Sequence, residues 1–109
     1  YESKFRGIHM NTAKDIAYYI HQEMIEFQNN LKNSDDIFVS FIPLVKDKII
    51  QVTNVGYIGD SLIFFEGTNS SGRRVEVVQH MSQVNYYMTS APRKDPEHPR
   101  RQIGFVQNH

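Results

Sequence analysis

The chain has 109 residues, in which 12 lysines and arginines balance 12 aspartates and glutamates, and it contains no cysteine. This length suits a single domain, and the neutral charge excludes a general electrostatic attraction to nucleic acid or to an acidic membrane. The lack of cysteine excludes disulfides, thiolate metal sites and cysteine nucleophiles. No apolar run approaches the roughly 18 to 20 residues that span a bilayer, and Tyr1 to Arg6 lack the apolar core of a signal peptide. We therefore expect a cytoplasmic protein with no membrane partner.

A helical periodicity follows an N-terminal arm, residues 1–10, that mixes charge with isolated apolar residues. Asn11 or Thr12 offers an N-cap oxygen, and Asp15 follows three residues after Thr12. The side predicted to be polar includes His21, Glu23 and Gln28. We predict an amphipathic helix over residues 11–32 that covers a sheet, rather than a helix that binds a partner or a membrane. Its apolar stripe recurs at steps of three and four: Ala13, Ile16, Ile20, Met24, Phe27 and Leu31.

Short apolar runs separated by turn residues fill positions 37–90, and they are rich in the β-branched and aromatic residues that suit a half-buried sheet. We predict a turn at the Gly56 to Asp60 cluster, whose two glycines can supply positive φ, and a second turn at the Gly67 to Gly72 cluster. Only Met81 and Ser82 are expected to link the last two strands. The fold class is then α+β, with the helix capping a small, strongly bent five-stranded antiparallel sheet or barrel. The predicted strands are Ile37–Ile42, Ile49–Val55, Ser61–Glu66, Arg73–Met81 and Gln83–Met88.

The composition changes at Ala91, where a stretch with three prolines begins that forbids helix or central strand. We predict one domain over residues 1–90 and an extended C-terminal tail, rich in proline and arginine, over residues 91–109. The apolar tetrad from Ile103 to Val106 is expected to dock into a groove on its own subunit or on a neighbour.

The order of these elements, a helix followed by five short strands with a very short last link, resembles the Sm-like fold. Val78-Gln79-His80, followed by Met81 to Val84, stands where bacterial Sm-like RNA chaperones have a Tyr-Lys-His motif, of which His80 survives. The resemblance covers Asn11 to about Met88 and implies a ring-forming, RNA-binding protein. The Asn of the first Sm signature and the Arg-Gly of the second are missing, so the resemblance does not extend to the uridine pockets of typical Sm rings.

The C-terminal half also looks similar to a bacterial and phage family of unknown function, which supplies no activity. The similar segments are Val77 to Gln83, Pro92-Arg93 and Arg100 to Phe105.

A nucleotide site is the functional hypothesis that these residues favour. Gln79 and His80 combine directional donors and acceptors without net charge, which suits a base edge more than a phosphate. Tyr57, Tyr86 and Tyr87 are candidates for base stacking, with packing in a core or an interface as the alternative for each. Phosphate binding would fall to the guanidinium groups, for which a solvated charged face is the alternative: Arg73, Arg74, Arg93, Arg100 and Arg101.

Catalytic and metal signatures are weak. Gly67 and Gly72 have the spacing of a phosphate-binding loop, but Arg73-Arg74 and a strand follow them instead of a lysine, a hydroxyl residue and a helix. The five histidines show no metal-ligand spacing. Ser82 lies two residues from His80 without an orienting third group. We therefore predict no enzyme activity, no metal and no cofactor.

Two functions follow as hypotheses. The first is a non-catalytic homo-oligomer, ring-like and closed through exposed edge strands, that binds RNA ends or a small signalling nucleotide, cyclic ones included. A phage-encoded protein of this kind would act in anti-defence by sequestering a host signal without hydrolysing it. The alternative is a protein-interaction module that uses its Pro-rich tail as an extended ligand and binds no nucleotide.

Overall fold

The computed structural model describes residues 12–41, 49–95 and 97–107. The predicted arm over residues 1–10 and the residues between the first two predicted strands, 43–48, lie outside these ranges. Within them, a helix precedes six strands, so the α+β class is confirmed and the predicted count of five strands is wrong. The elements are α1 (Ala13–Asn29), β1 (Asp35–Phe41), β2 (Ile49–Ile58), β3 (Leu62–Thr68), β4 (Arg74–His80), β5 (Tyr86–Pro92) and β6 (Gly104–Gln107).

The sheet runs in the order β4-β3-β2-β1-β5 with antiparallel neighbours, and β6 lies parallel to β2. β3 pairs along β2 from Gln51 to Ile58, whereas β1 pairs with β2 only at Ile49 and Ile50. Further along that second edge of β2, β6 pairs with residues 54–57, in registers from Asn54↔Gly104 to Tyr57↔Gln107. The apolar tetrad of the tail therefore docks on its own chain.

The sheet is open, so the predicted closure into a barrel is wrong. Among the described residues β4 pairs with β3 alone and β5 pairs with β1 alone. The link between these two strands spans residues 81–85 instead of two residues, and it turns where the Gln83 amide donates to the His80 carbonyl oxygen at 2.8 Å. The two outermost strands thus end as free edges at opposite sides of the sheet.

The helix begins and packs largely as its sequence pattern predicts. The Thr12 hydroxyl accepts a hydrogen bond from the Asp15 amide at 3.3 Å, which satisfies one of the free donors of the first turn. α1 then packs on β1, β2, β3 and β6. It ends at Asn29, near the polar residues that compete with helical hydrogen bonds. Gln28 was predicted to lie on the polar side, but it is buried. The buried residues of the helix are Ala13, Ala17, Ile20, Met24 and Gln28.

Gly56 lies inside β2, where the sequence predicts a turn. It pairs with Phe64 on one side and with Val106 on the other. A Cβ atom at this position would collide with the Val106 carbonyl oxygen and with the Phe64 ring. The glycine is thus needed for close approach of β6 and of an aromatic ring, and the predicted turn geometry falls on Gly59 and Gly72, whose φ values are 59° and 77°.

We predict that Gly56→Ala lowers the free energy of unfolding by about 2 kcal/mol, because the added methyl group must displace either β6 or the Phe64 ring. Urea unfolding followed by circular dichroism measures this change. The matched control is Ser70→Ala in the exposed turn before β4, which should change the free energy by less than about 0.5 kcal/mol. Equal stability of the two variants would contradict the close approach at Gly56.

Candidate functional site

A polar recess lies where the C-terminal end of α1, the start of β1 and the tail meet. Its inner chamber of ≈ 100 Å³ is lined by Gln28, Thr53 and Thr68 among others. The chamber shares Asp36, Gln51 and Arg101 with an outer compartment of ≈ 240 Å³, the tail cleft. The remaining lining residues of the tail cleft are Phe38, Arg93, Lys94, Asp95, His98, Pro99 and Arg100.

Arg100 caps the C-terminal end of α1 from the tail. Its Nη1 donates to the Gln28 carbonyl oxygen at 2.7 Å, and its Nη2 donates to the carbonyl oxygens of Lys32 and Asp35 at 2.6 and 2.9 Å. The last carbonyl groups of a helix have no partner within the helix, so a guanidinium group is well suited to this position. Both terminal nitrogens of the predicted phosphate ligand Arg100 are therefore engaged by backbone oxygens.

Asp36 sits between two guanidinium groups. Its Oδ1 lies 3.7 Å from Arg93 Nε and 4.0 Å from Arg100 Nε, and its Oδ2 accepts from Gln51 Nε2 at 3.0 Å. Arg93 also donates through Nη1 to the Asn33 carbonyl oxygen at 2.7 Å and through Nη2 to the carbonyl oxygen of His98. These contacts hold the tail against β1 and fix a carboxylate at the boundary between the two compartments.

The rim of the tail cleft is basic and exposed. Lys94 and Arg101 are exposed, while His98 lies 2.6 Å from the Asp95 carboxylate through its Nδ1. Because Arg93 and Arg100 are engaged inside the recess, Lys94 and Arg101 are the described cations of the cleft that face solvent. These two cations stand at the rim beside the exposed Asp95 carboxylate, which His98 contacts.

Gln28 supplies an acceptor atom that the fold does not satisfy. The residue is 3% exposed; its Nε2 donates to the Arg101 carbonyl oxygen at 2.9 Å, and its Oε1 is buried without a donor among the described residues. A buried acceptor without a partner costs roughly 1 to 3 kcal/mol. The sequence analysis did not identify Gln28 as a site residue. Ile20, Met24 and Gln28 follow one another at steps of four, however, so the helical spacing alone puts Gln28 on the buried face.

The predicted site residues on β4 divide between its two ends. Arg73 and Arg74 stand at the start, and Arg74 pairs with Thr68, which lines the inner chamber. The side chain of Arg74 binds the Glu66 carboxylate, whose other oxygen accepts from Asn54 Nδ2 at 2.9 Å. His80 stands at the other end, about 20 Å along the strand.

Gln79 and His80 are not brought together on one face. Neighbouring residues of a strand point to opposite sides, and here Gln79 is half-buried while His80 is exposed. His80 Nδ1 accepts from the Ser82 amide at 3.1 Å and lies 2.8 Å from Ser82 Oγ, a local turn contact. Tyr57 is 6% exposed, with its ring centroid 6.1 Å from that of Phe105, so it packs in the core.

The sequence pattern of a family of unknown function, DUF6173, matches residues 7–106, and the chain belongs to that family. This is consistent with the resemblance to a family of unknown function noted in the sequence. No curated protein and no solved structure matches the chain. The helix in the described part of the chain is not long and apolar enough to cross a membrane. Over the same residues, no cluster of three or more histidine, aspartate or glutamate side chains could hold a metal ion.

We predict that Arg100→Ala lowers the free energy of unfolding by about 3 kcal/mol, because three carbonyl oxygens lose a charged donor and Asp36 loses a nearby positive charge. Arg100→Lys should lose most of the same free energy, since one ammonium group cannot reproduce the planar fork. The matched control is its exposed neighbour, Arg101→Ala, which should cost less than about 0.5 kcal/mol. Urea unfolding compares the variants, and equal losses at positions 100 and 101 would contradict the capping role.

Proposed function

We propose that this protein is a non-catalytic binder of a small nucleotide, with the base in the inner chamber and the phosphate at the exposed rim of the tail cleft. The observation that supports this proposal is Gln28, which lines the inner chamber together with Asp36 and whose buried Oε1 has no donor among the described residues. Nucleobase edges carry N–H donors that complement such acceptors.

The division of charge in the recess also favours a compact ligand with few phosphates. Asp36 and Gln28 offer acceptor oxygens inside, whereas Arg101 and Lys94 offer positive charge outside. The two joined compartments have the size of a pocket for a small ligand, and the balanced charge of the chain disfavours a long nucleic-acid track. Arg74, the first residue of β4, pairs with Thr68 of the chamber, and its side chain binds Glu66.

The ligand experiment is thermal-shift screening against linear mononucleotides, cyclic nucleotides and short RNA oligomers. A ligand at one hundred times its dissociation constant should add about 2.7 kcal/mol to the free energy of unfolding, because it binds only the native state. Arg101→Ala and Gln28→Leu should each reduce the shift. The matched control His80→Ala, at the far end of β4, should leave it unchanged.

Three outcomes would contradict this proposal in different ways. A shift that is abolished by His80→Ala and kept by Arg101→Ala would move the site to the end of β4. The absence of a shift with every ligand would refute nucleotide binding and favour the protein-interaction module. The third outcome is a ligand that mass spectrometry recovers in a chemically converted form. Sequestration requires binding without turnover, so a converted ligand would make the protein an enzyme.

We further propose that the protein assembles as a homo-oligomer through its edge strands, as the Sm-like resemblance implies. Two observations support this proposal. A helix precedes five consecutive antiparallel strands, and among the described residues β4 and β5 each have a free edge. A free strand edge presents amide and carbonyl groups that the opposite edge of a second copy can pair with, and repetition of such a contact closes a ring. The strand β6 has no counterpart in the predicted five-stranded pattern.

We predict an oligomeric mass by light scattering at micromolar concentration. Val78→Lys should shift the mass toward the monomer, because Val78 lies on the edge strand β4 with 45% of its surface exposed and a lysine there opposes strand pairing. Ser70→Lys, in the exposed turn that precedes β4, is the matched control and should keep the wild-type mass. A monomeric wild-type protein would refute association through the edges.

A further inference from the structure

The unsatisfied group in the inner chamber is an acceptor, and its chemical identity is fixed by the fold. The Gln28 side chain lines the chamber, and its Nε2 donates to the Arg101 carbonyl oxygen at 2.9 Å. This bond sets the orientation of the amide, because a reversed amide would place its oxygen against the carbonyl oxygen. Oε1 is therefore the buried atom that has no donor among the described residues. What the chamber lacks is an N–H or O–H group.

Asp36 brings a second set of acceptor atoms to the same chamber. Its Oδ2 accepts from Gln51 Nε2 at 3.0 Å, and its Oδ1 lies 3.7 Å from Arg93 Nε and 4.0 Å from Arg100 Nε. A carboxylate has about four lone-pair sites, so these contacts leave part of its acceptor capacity unused. The chamber thus combines a carboxylate with an amide oxygen.

The hydroxyl groups of the chamber do not supply the donor that Gln28 lacks. Thr53 Oγ1 donates to the Glu66 carbonyl oxygen at 3.2 Å, so its proton is already used. Thr68 also lines the chamber, and its hydroxyl can donate to an acceptor on a ligand. A complementary ligand edge therefore presents two or more N–H groups, and one acceptor beside them is tolerated.

Among the nucleobases, guanine has this pattern on its Watson–Crick edge. Its N1–H and its N2 amine are neighbouring donors, and O6 follows as an acceptor. Adenine and cytosine each place an acceptor nitrogen beside a single amine, and uracil has one N–H between two carbonyl groups. Any of these three would turn an acceptor toward Asp36 or Gln28 with no proton between them, and such a buried mismatch weakens binding.

We propose that the recess selects guanine over the other nucleobases. Asp36 accepts hydrogen bonds from N1–H and from one hydrogen of the N2 amine, Gln28 Oε1 accepts the other hydrogen of that amine, and the Thr68 hydroxyl donates to O6. This inference rests on the proposed nucleotide-binding function and specifies the base. The phosphate contacts at the exposed rim stay as proposed above.

Isothermal titration calorimetry tests the base preference separately from the phosphate contacts. Guanine and adenine nucleotides are compared within three series: the 5′-monophosphates, the 3′,5′-cyclic monophosphates and the triphosphates. The matched ligand control is the inosine nucleotide of the same series, which is the guanosine nucleotide without its N2 amine. We expect guanine to bind about a hundredfold more tightly than adenine, and inosine to bind about tenfold more weakly than guanosine.

Two substitutions test the assigned acceptors. Gln28→Leu should bring the affinities for guanosine and inosine nucleotides within about threefold of each other, because the N2 amine loses one partner. Asp36→Asn should lower the guanine-to-adenine ratio about tenfold, and it preserves the shape of the side chain if Gln28→Leu perturbs folding. Ser70→Ala, in the exposed turn before β4, is the matched control and should keep both ratios. A general loss of stability lowers both affinities of a pair, so the ratios report on recognition.

The outcomes separate this inference from the function on which it rests. Adenine nucleotides that bind as tightly as guanine nucleotides would overturn the guanine preference and leave nucleotide binding intact. Equal affinity of the wild-type protein for guanosine and inosine nucleotides, or ratios that neither Gln28→Leu nor Asp36→Asn changes, would overturn the assigned contacts. The absence of binding with every nucleotide would refute the proposed function and this inference together, and would assign the chamber to solvent.

Discussion

Carbonyl oxygens at the C-terminal end of α1 and in the segment that leads to β1 accept hydrogen bonds from the tail. Arg100 binds the Gln28 oxygen of α1 and two oxygens beyond the helix, those of Lys32 and Asp35. In return, Gln28 and His21 of the helix bind carbonyl oxygens of the tail at Arg101 and Ile103. This exchange places Ile103 in the core and directs β6 to the open edge of β2. The same contacts form the walls of the tail cleft, so helix capping, core closure and the candidate site share one set of hydrogen bonds.

Local signals were sufficient for most of the secondary structure. Thr12 and the apolar periodicity defined α1, and each of the five predicted runs overlaps a strand, the fifth only at residues 86–88. The strand β6 was not predictable as a strand, because its partner lies 50 residues earlier and the tetrad alone fits any groove. Gly56 was predicted to lie in a turn because glycine is common in turns. Its actual role is visible only in the structure, where the close approach of Val106 and Phe64 leaves no room for a side chain.

The recess, like β6, depends on contacts between residues that are far apart in the sequence. The sequence drew attention to Arg100 and Arg101 as equivalent cations, yet one is a structural cap and the other is exposed at the rim. Strand alternation alone separates Gln79 from His80, so that distinction was accessible from the predicted element. Asp36 and Gln51 form a hydrogen bond because β1 and β2 bring them together, and their local sequences do not predict this contact.

β6 also covers a strand edge that would otherwise be open to pairing with other chains. Residues 54–57 of β2 lie in the middle of the sheet, and their second edge is satisfied only by residues 104–107. Displacement of this short segment would open a row of amide and carbonyl groups beside the apolar side chains of Val55 and Tyr57. Such an edge is a template for pairing with other chains and for aggregation. The hydrogen bonds that hold the tail to α1 therefore also protect the central strand β2 from pairing with other copies of the chain.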